Sequence, residues 1–245
     1  MLGIIGGSAL THLAPLTVTR REVARTPYGE PSSALTYGRS GDCQVIFLAR
    51  HGYGHTLPPH LVNYRANIWA LKEAGVSGII SVASVSGIRA DLVPGTLVVP
   101  HQIIDYTQGR ASTFFDSADG AIYHVNFADP YDEPLRRLLL DSAQSAQEDV
   151  VDQAVYAVTQ GPRLETAAEI RRIESDGGDI VGMTGMPEAV LARELNVPYA
   201  TLSVVSAFAA GRGGEGGNLS SENIREILHA GMKRVHRILE MSCKV

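Results

Sequence analysis

The chain has 245 residues, 44% hydrophobic and 19% charged, an ordinary globular balance and enough for one large buried core. Its formal net charge of −5, with no Lys/Arg stripe, argues against nucleic acid or an anionic membrane surface as the main partner. Cys43 and Cys243 stand far apart without a zinc-type or disulfide pattern, the first residues lack a signal-peptide pattern, and no apolar run approaches the roughly 20 residues of a membrane span, so the expectation is a cytoplasmic protein.

Leu2-Gly3-Ile4-Ile5 reads as a short apolar strand entering Gly6-Gly7-Ser8. That turn is either a plain tight turn or an anion cradle of backbone N–H groups with the Ser8 hydroxyl added. Residues 26–32 (TPYGEPS) form a turn-rich link, and Gln44–Ala49 is a near-continuous apolar run, the pattern of a strand buried on both faces. It ends in Arg50-His51, either an ordinary strand-end pair or two donors suited to phosphate. His51, His55 and His60 fall close together but lack helical ligand spacing and a nearby carboxylate, so no metal site is expected.

A helical pattern runs from His60 to Ala74, with Leu61, Tyr64, Ile68 and Leu71 on one face and Gly75 after it. Ser77–Val82 and Thr96–Pro100 read as further strands, the first leading into Ala83-Ser84. Gln108–Asn126 reads as a long loop carrying His124, and Glu133–Gln147 as an amphipathic helix with Leu135, Leu138 and Leu139 inward.

The segment from Gly161 to Gly211 organises the rest. It reads as a strand end, a Gly-Pro turn, a helix capped by Thr166 and Glu169, a buried strand, a Met-rich turn, a second helix with Pro187 in its first turn, and a third strand at Tyr199–Val205. Three strand ends opening together would line one crevice, with Glu165, Met183, Thr184, Ser206 and Ala207 at its rim. The capping box occupies Glu169 and leaves Glu165 free to point inward. Gly211–Gly217 reads as a glycine-dense mobile loop beside that crevice. A last helix from Ser220 places Ile224, Ile227, Leu228, Met232, Val235, Ile238 and Leu239 on one 3.6-period stripe. Strands and helices alternate with no linker or repeat, so residues 1–245 are read as a single α/β domain.

Taken together, the Gly6-Gly7-Ser8 turn, TPYGEPS at 26–32, LARHG at 48–52, HTLPPHLVNYRANIWALKEAG at 55–75, GPRLETAAEIRR at 161–172 and DIVGMTGMPEAVLARE at 179–194 resemble the trimeric purine nucleoside phosphorylases over nearly the whole chain. The likeness is to the methylthioadenosine/methylthioinosine branch, and within it to the S-methyl-5′-thioinosine phosphorylases. It implies a mixed central sheet, partly barrel-like, flanked by helices, and a homotrimer. The implied reaction splits an N-glycosidic bond with inorganic phosphate and needs no cofactor or metal.

Carried over by position, the resemblance implies phosphate contacts at Ser8, Arg50, His51, Ala83, Ser84 and Thr184, with Met183 against the ribose and His55 near sugar and phosphate. Leu164, Glu165, Ala207 and Ala209 fall at base-contacting positions, and His124 at one lent to the neighbouring subunit's 5′ pocket. A carboxylate at Glu165 accepts a hydrogen bond from a 6-oxopurine N1–H, which favours hypoxanthine-type bases. Where the family carries a Thr or Asn for phosphate this chain has Ala83, followed by Ser84. Where it carries an Asp or Asn for the leaving purine this chain has Ala207, next to Ser206. The implied substrate is S-methyl-5′-thioinosine. The alternatives are methylthioadenosine, or nucleoside binding with altered or lost cleavage.

Overall fold

The computed structural model describes residues 1–8, 10, 16–40, 43–116, 122–214 and 219–243. Eleven strands among them form one mixed sheet, with five helices packed on it. In chain order the strands are β1 (Leu2–Gly6), β2 (Thr17–Glu22), β3 (Leu35–Ser40), β4 (Cys43–Ala49), β5 (Gly78–Gly87), β6 (Leu97–Val99), β7 (Gln102–Asp105), β8 (Val150–Asp152), β9 (Val155–Val158), β10 (Ile180–Gly182) and β11 (Tyr199–Phe208). The helices are α1 (Tyr64–Glu73), α2 (Glu133–Ser145), α3 (Ala167–Ser175), α4 (Gly185–Glu194) and α5 (Ser221–Ser242).

The sheet is organised about β5. Its first half pairs in parallel with β1, and β1 with β4; its last residues, Ser86 and Gly87, pair antiparallel with β10. Along its other edge it pairs in parallel with β11, so the sheet forks there, one branch continuing through β6 to β8. The ends of β1, β4, β10 and β11 are thereby brought to one region.

Both faces are covered over the central strands β1, β4, β5 and β11, which is why these read as largely apolar runs, whereas the edge strand β2 is exposed throughout. Successive residues of one strand enter opposite cores: Ile5, Ile46 and Leu48 pack with α1 and α4, whereas Ile4, Val45 and Phe47 pack with α2 and α5. The stripe on α5 is fully buried only in its second half, at Met232, Val235, Ile238 and Leu239. Ile224, Ile227 and Leu228 are half-buried.

Several expected boundaries move. The helix expected from His60 begins at Tyr64, because Asn63 accepts a capping bond from Ala66 N at 3.1 Å while Pro59–Leu61 makes a separate 3-10 turn. Leu61 is consequently 63% exposed rather than inward. β5 continues to Gly87 and β11 to Phe208, while β7 and β8 are short strands that periodicity did not resolve. Pro187 follows a cis peptide bond and interrupts the first turn of α4 instead of opening it smoothly. Residues 117–121 of the expected His124 loop, and 215–217 of the glycine-dense loop, lie outside the described residues.

Candidate active site

A crevice of about 470 Å³ opens at the converging strand ends, a volume suited to a nucleoside-sized ligand. Gly7, Ser8, Arg50, His51, His55, Ser84, Leu164, Glu165, Met183, Thr184 and Ser206 all line it, so one cleft collects most of the positions singled out in the sequence. Ala83, Ala207, Ala209 and His124 are not among its walls. Ala83 is buried beneath the Gly7 backbone, and Ala209 is 4% exposed in a small core with Ile88, Ala157, Ile170, Ile173 and Val181. Ala209 packs in that core, outside the walls of the crevice. His124 stands on the exposed surface of its own chain.

The floor is a buried ion pair. Arg50, 0% exposed, donates from Nε and Nη2 to the two carboxylate oxygens of Glu188 at 2.6 and 2.9 Å, from Nη2 to Ser81 Oγ at 2.6 Å and from Nη1 to the Val82 carbonyl at 3.2 Å. Ser81 and Tyr199 hydroxyls each donate to Glu188 Oε2 at 2.9 Å. Burial opposes the charge on Arg50, but the charge and hydrogen bonds of Glu188 outweigh it and hold the guanidinium above its ordinary pKa. Four of the five guanidinium N–H groups are thus engaged, leaving one on Nη1. Gly7 must be glycine at this point, since a Cβ there would come within 3.0 Å of Nη1 and 2.8 Å of the Val82 carbonyl. The sequence reading missed Glu188, Ser81 and Tyr199, and nothing in their local pattern marks them.

His51 is buried, and its Nδ1 lies 2.7 Å from the Leu57 carbonyl. A carbonyl only accepts, so Nδ1 carries the proton and Nε2 is an acceptor. Burial, then the charge of Arg50, pushes its pKa down to about 4. His51 is thus a neutral acceptor toward the crevice, not a cationic donor. The unfolded chain takes up this proton near pH 6.5 and the folded chain near 4, so the unfolded state binds more protons between them and stability falls as pH drops through that window. Unfolding titrations at several pH values are expected to show a shallower decline in a His51→Asn variant, which keeps a donor for Leu57. His55, whose ring lies 4.9 Å from that of His51, adopts φ 50°, a left-handed conformation uncommon outside glycine.

At the other end, Glu165 Oε1 accepts from Thr159 Oγ1 at 2.5 Å. The capping box forms as expected, Thr166 N donating to Glu169 at 2.7 Å and Glu169 N to Thr166 Oγ1 at 3.1 Å, so Glu165 stays outside it. Gly161, at φ 61°, has no room for a Cβ because Met183 Sδ would be 2.5 Å away. The Thr184 side chain makes no capping bond to α4.

A register shift in β11 between Val205 and Ala207 decides what that strand presents. Val205 pairs with Val85 and Ala207 with Ser86, leaving Ser206 as the extra residue of a bulge. The bulge puts Ser206 in the crevice and keeps Ala207 in the ladder. Ser206 Oγ donates to the Val85 carbonyl at 3.1 Å. Among the described residues no cluster of His, Cys, Asp and Glu is gathered as a metal would need, and no helix is long and apolar enough to cross a membrane.

The model of the Phosphorylase superfamily matches residues 1–242. The chain belongs to that superfamily. The phosphorylase is 48% identical over 236 residues to a probable S-methyl-5′-thioinosine phosphorylase of Pseudomonas syringae pv. tomato, covering 96% of this chain and 95% of the relative. It is 45% identical over 219 residues to a 6-oxopurine nucleoside phosphorylase of Pyrococcus furiosus, covering 87% and 82%. Among solved structures, methylthioadenosine phosphorylase from Schistosoma mansoni in complex with adenine superposes with a TM-score of 0.93 at 32% identity, covering 99% of this chain and 90% of that one.

Proposed function

We propose that the enzyme cleaves a 6-oxopurine nucleoside, S-methyl-5′-thioinosine foremost, with inorganic phosphate, giving hypoxanthine and 5-methylthioribose 1-phosphate in the cytoplasm. Glu165 carries this reading. Its carboxylate lies in the crevice, anchored by Thr159 and free of the helix cap. A carboxylate only accepts hydrogen bonds, so it matches the N1–H of a 6-oxopurine and repels the lone pair on adenine N1. The names of the bacterial and archaeal relatives support the same base class.

In the reaction the C1′–N9 bond breaks with its electron pair leaving on the purine, a phosphate oxygen bonds to the oxocarbenium-like C1′, and the purine takes up one proton, matching the one that hydrogen phosphate gives up. No cofactor is called for. Ser8, Ser84, Thr184 and the remaining Arg50 N–H would hold phosphate, while neutral His51 would accept from its protonated oxygen. Met183 would lie against the ribose, with His55 near the sugar and phosphate. Ser206 has the hydroxyl nearest the position the family uses for the leaving base, so its O–H must turn from the Val85 carbonyl to serve N7. The exposed His124 would complete a neighbour's 5′ pocket in a homotrimer, which a solution mass of three chains would check.

Release of hypoxanthine from S-methyl-5′-thioinosine should require phosphate. Equal release without it would mark a hydrolase, and tight purine binding without cleavage of any nucleoside would mark a binding protein. The likeness to the Schistosoma enzyme favours methylthioadenosine as the second reading, and comparing kcat/KM for the two substrates separates them.

A further inference from the structure

Arg110 lies in the loop after β7, away from the crevice walls, yet its guanidinium makes six hydrogen bonds, all to neutral acceptors. Nη2 donates to the carbonyls of Thr159 and Gln160 at 3.3 and 2.8 Å, and Nε to Gln160 Oε1 at 3.1 Å. Nη1 donates to the carbonyls of Met183 and Met186 at 2.8 and 2.6 Å and to Tyr64 OH at 3.2 Å. The first set belongs to the strand end that leads through Gly161 to Glu165, and Thr159 is the residue whose hydroxyl holds the Glu165 carboxylate. The second set belongs to the turn that carries Met183 and Thr184. Tyr64 passes the connection on, its hydroxyl donating at 2.9 Å to the carbonyl of Pro59, another crevice wall.

Anchoring the loop does not require this arrangement. Thr113 Oγ1 and Phe114 N each donate to Glu194 at 2.7 Å, Arg65 pairs with Asp116 at 2.5 Å, and Phe114 packs against Tyr28 with ring centroids 5.0 Å apart. The ladder between β9 and β10 ends with Thr159 N donating to the Gly182 carbonyl at 2.8 Å, and Arg110 spends its planar fork just beyond it, on the two turns that continue those strands, which a point-like ammonium could not span. We propose that Arg110 is a positioning residue, setting the spacing between the base-reading turn at Glu165 and the ribose turn at Met183-Thr184. The proposal rests on the functional reading above, because a nucleoside is the ligand that touches both turns at once. Free base and free phosphate do not bridge these two turns in that way, so their affinities should be much less sensitive to the spacing.

The test compares wild type with Arg110→Lys and Arg110→Met, measuring kcat and KM for S-methyl-5′-thioinosine and calorimetric Kd for hypoxanthine and for inorganic phosphate. Misplacing reacting groups by an ångström costs about a hundredfold in rate, so kcat/KM should fall by about that factor in both variants. The two Kd values should stay within about threefold, and the Lys variant should recover thermal stability without recovering turnover. Millimolar guanidinium should restore part of the turnover in Arg110→Ala. Undiminished kcat/KM in a folded variant overturns the role, as does a parallel loss of base and phosphate affinity, which would mark a general structural defect. Wild-type protein that cleaves no 6-oxopurine nucleoside overturns the functional reading and this role with it, whereas an active wild type beside an equally active Arg110→Met overturns this role alone.

Discussion

Glu188→Gln is expected to lower the unfolding free energy by about 3–5 kcal/mol, since removing one partner of a buried ion pair leaves the other charge uncompensated. Arg50 and Glu188 are both 0% exposed, so neither has solvent to fall back on. For a chain of this size that corresponds to a fall in Tm of roughly 6–20 °C. Phosphate should return part of the loss. A dianion beside Arg50 supplies the negative charge that Glu188 no longer provides, so the variant should gain more Tm from added phosphate than wild type does. Calorimetric scans with and without phosphate check both effects. An unchanged Tm would mean the pair contributes little, and equal phosphate gains would mean Arg50 does not face the anion.

Glu165→Gln is expected to reduce kcat/KM for S-methyl-5′-thioinosine by about 10²–10³, the scale of losing one aimed hydrogen-bonding group in a catalytic site. The amide can turn its N–H toward an acceptor, so turnover of methylthioadenosine should fall far less or rise. Steady-state kinetics on both substrates read the ratio, and a ratio equal to that of wild type would remove Glu165 as the base reader.

The crevice was legible in the sequence where chemistry is local. Gly161-Pro162 punctuation, the Thr166–Glu169 capping box and the strand-ending Arg50-His51 pair each act over a few residues, and each lies where the pattern placed it. What was not legible depends on partners distant in the chain. Glu188 reads as one more polar residue early in a helix, and only the sheet brings Arg50, 138 positions away, onto it. Arg110 has no local mark at all, because its acceptors are backbone carbonyls on two other segments. Alternation cannot reveal the bulge that selects Ser206 over Ala207, since an inserted residue changes which face a side chain takes without changing the sequence's apolar character. Leu61 misled for the converse reason: it keeps helical spacing while lying outside the helix.

The pairing of Arg50 with Glu188 also sets the electrical character of the anion end. With His51 neutral and Arg50 matched by the Glu188 carboxylate, the pair adds almost no net charge to that end of the cleft, so a phosphate ester bound there would be held by directed dipoles and not by an electrostatic sink. A strongly cationic floor would grip the sugar-phosphate product at least as firmly as the incoming phosphate. A balanced one would release that product more readily, so the proposed turnover would not stall on its own output.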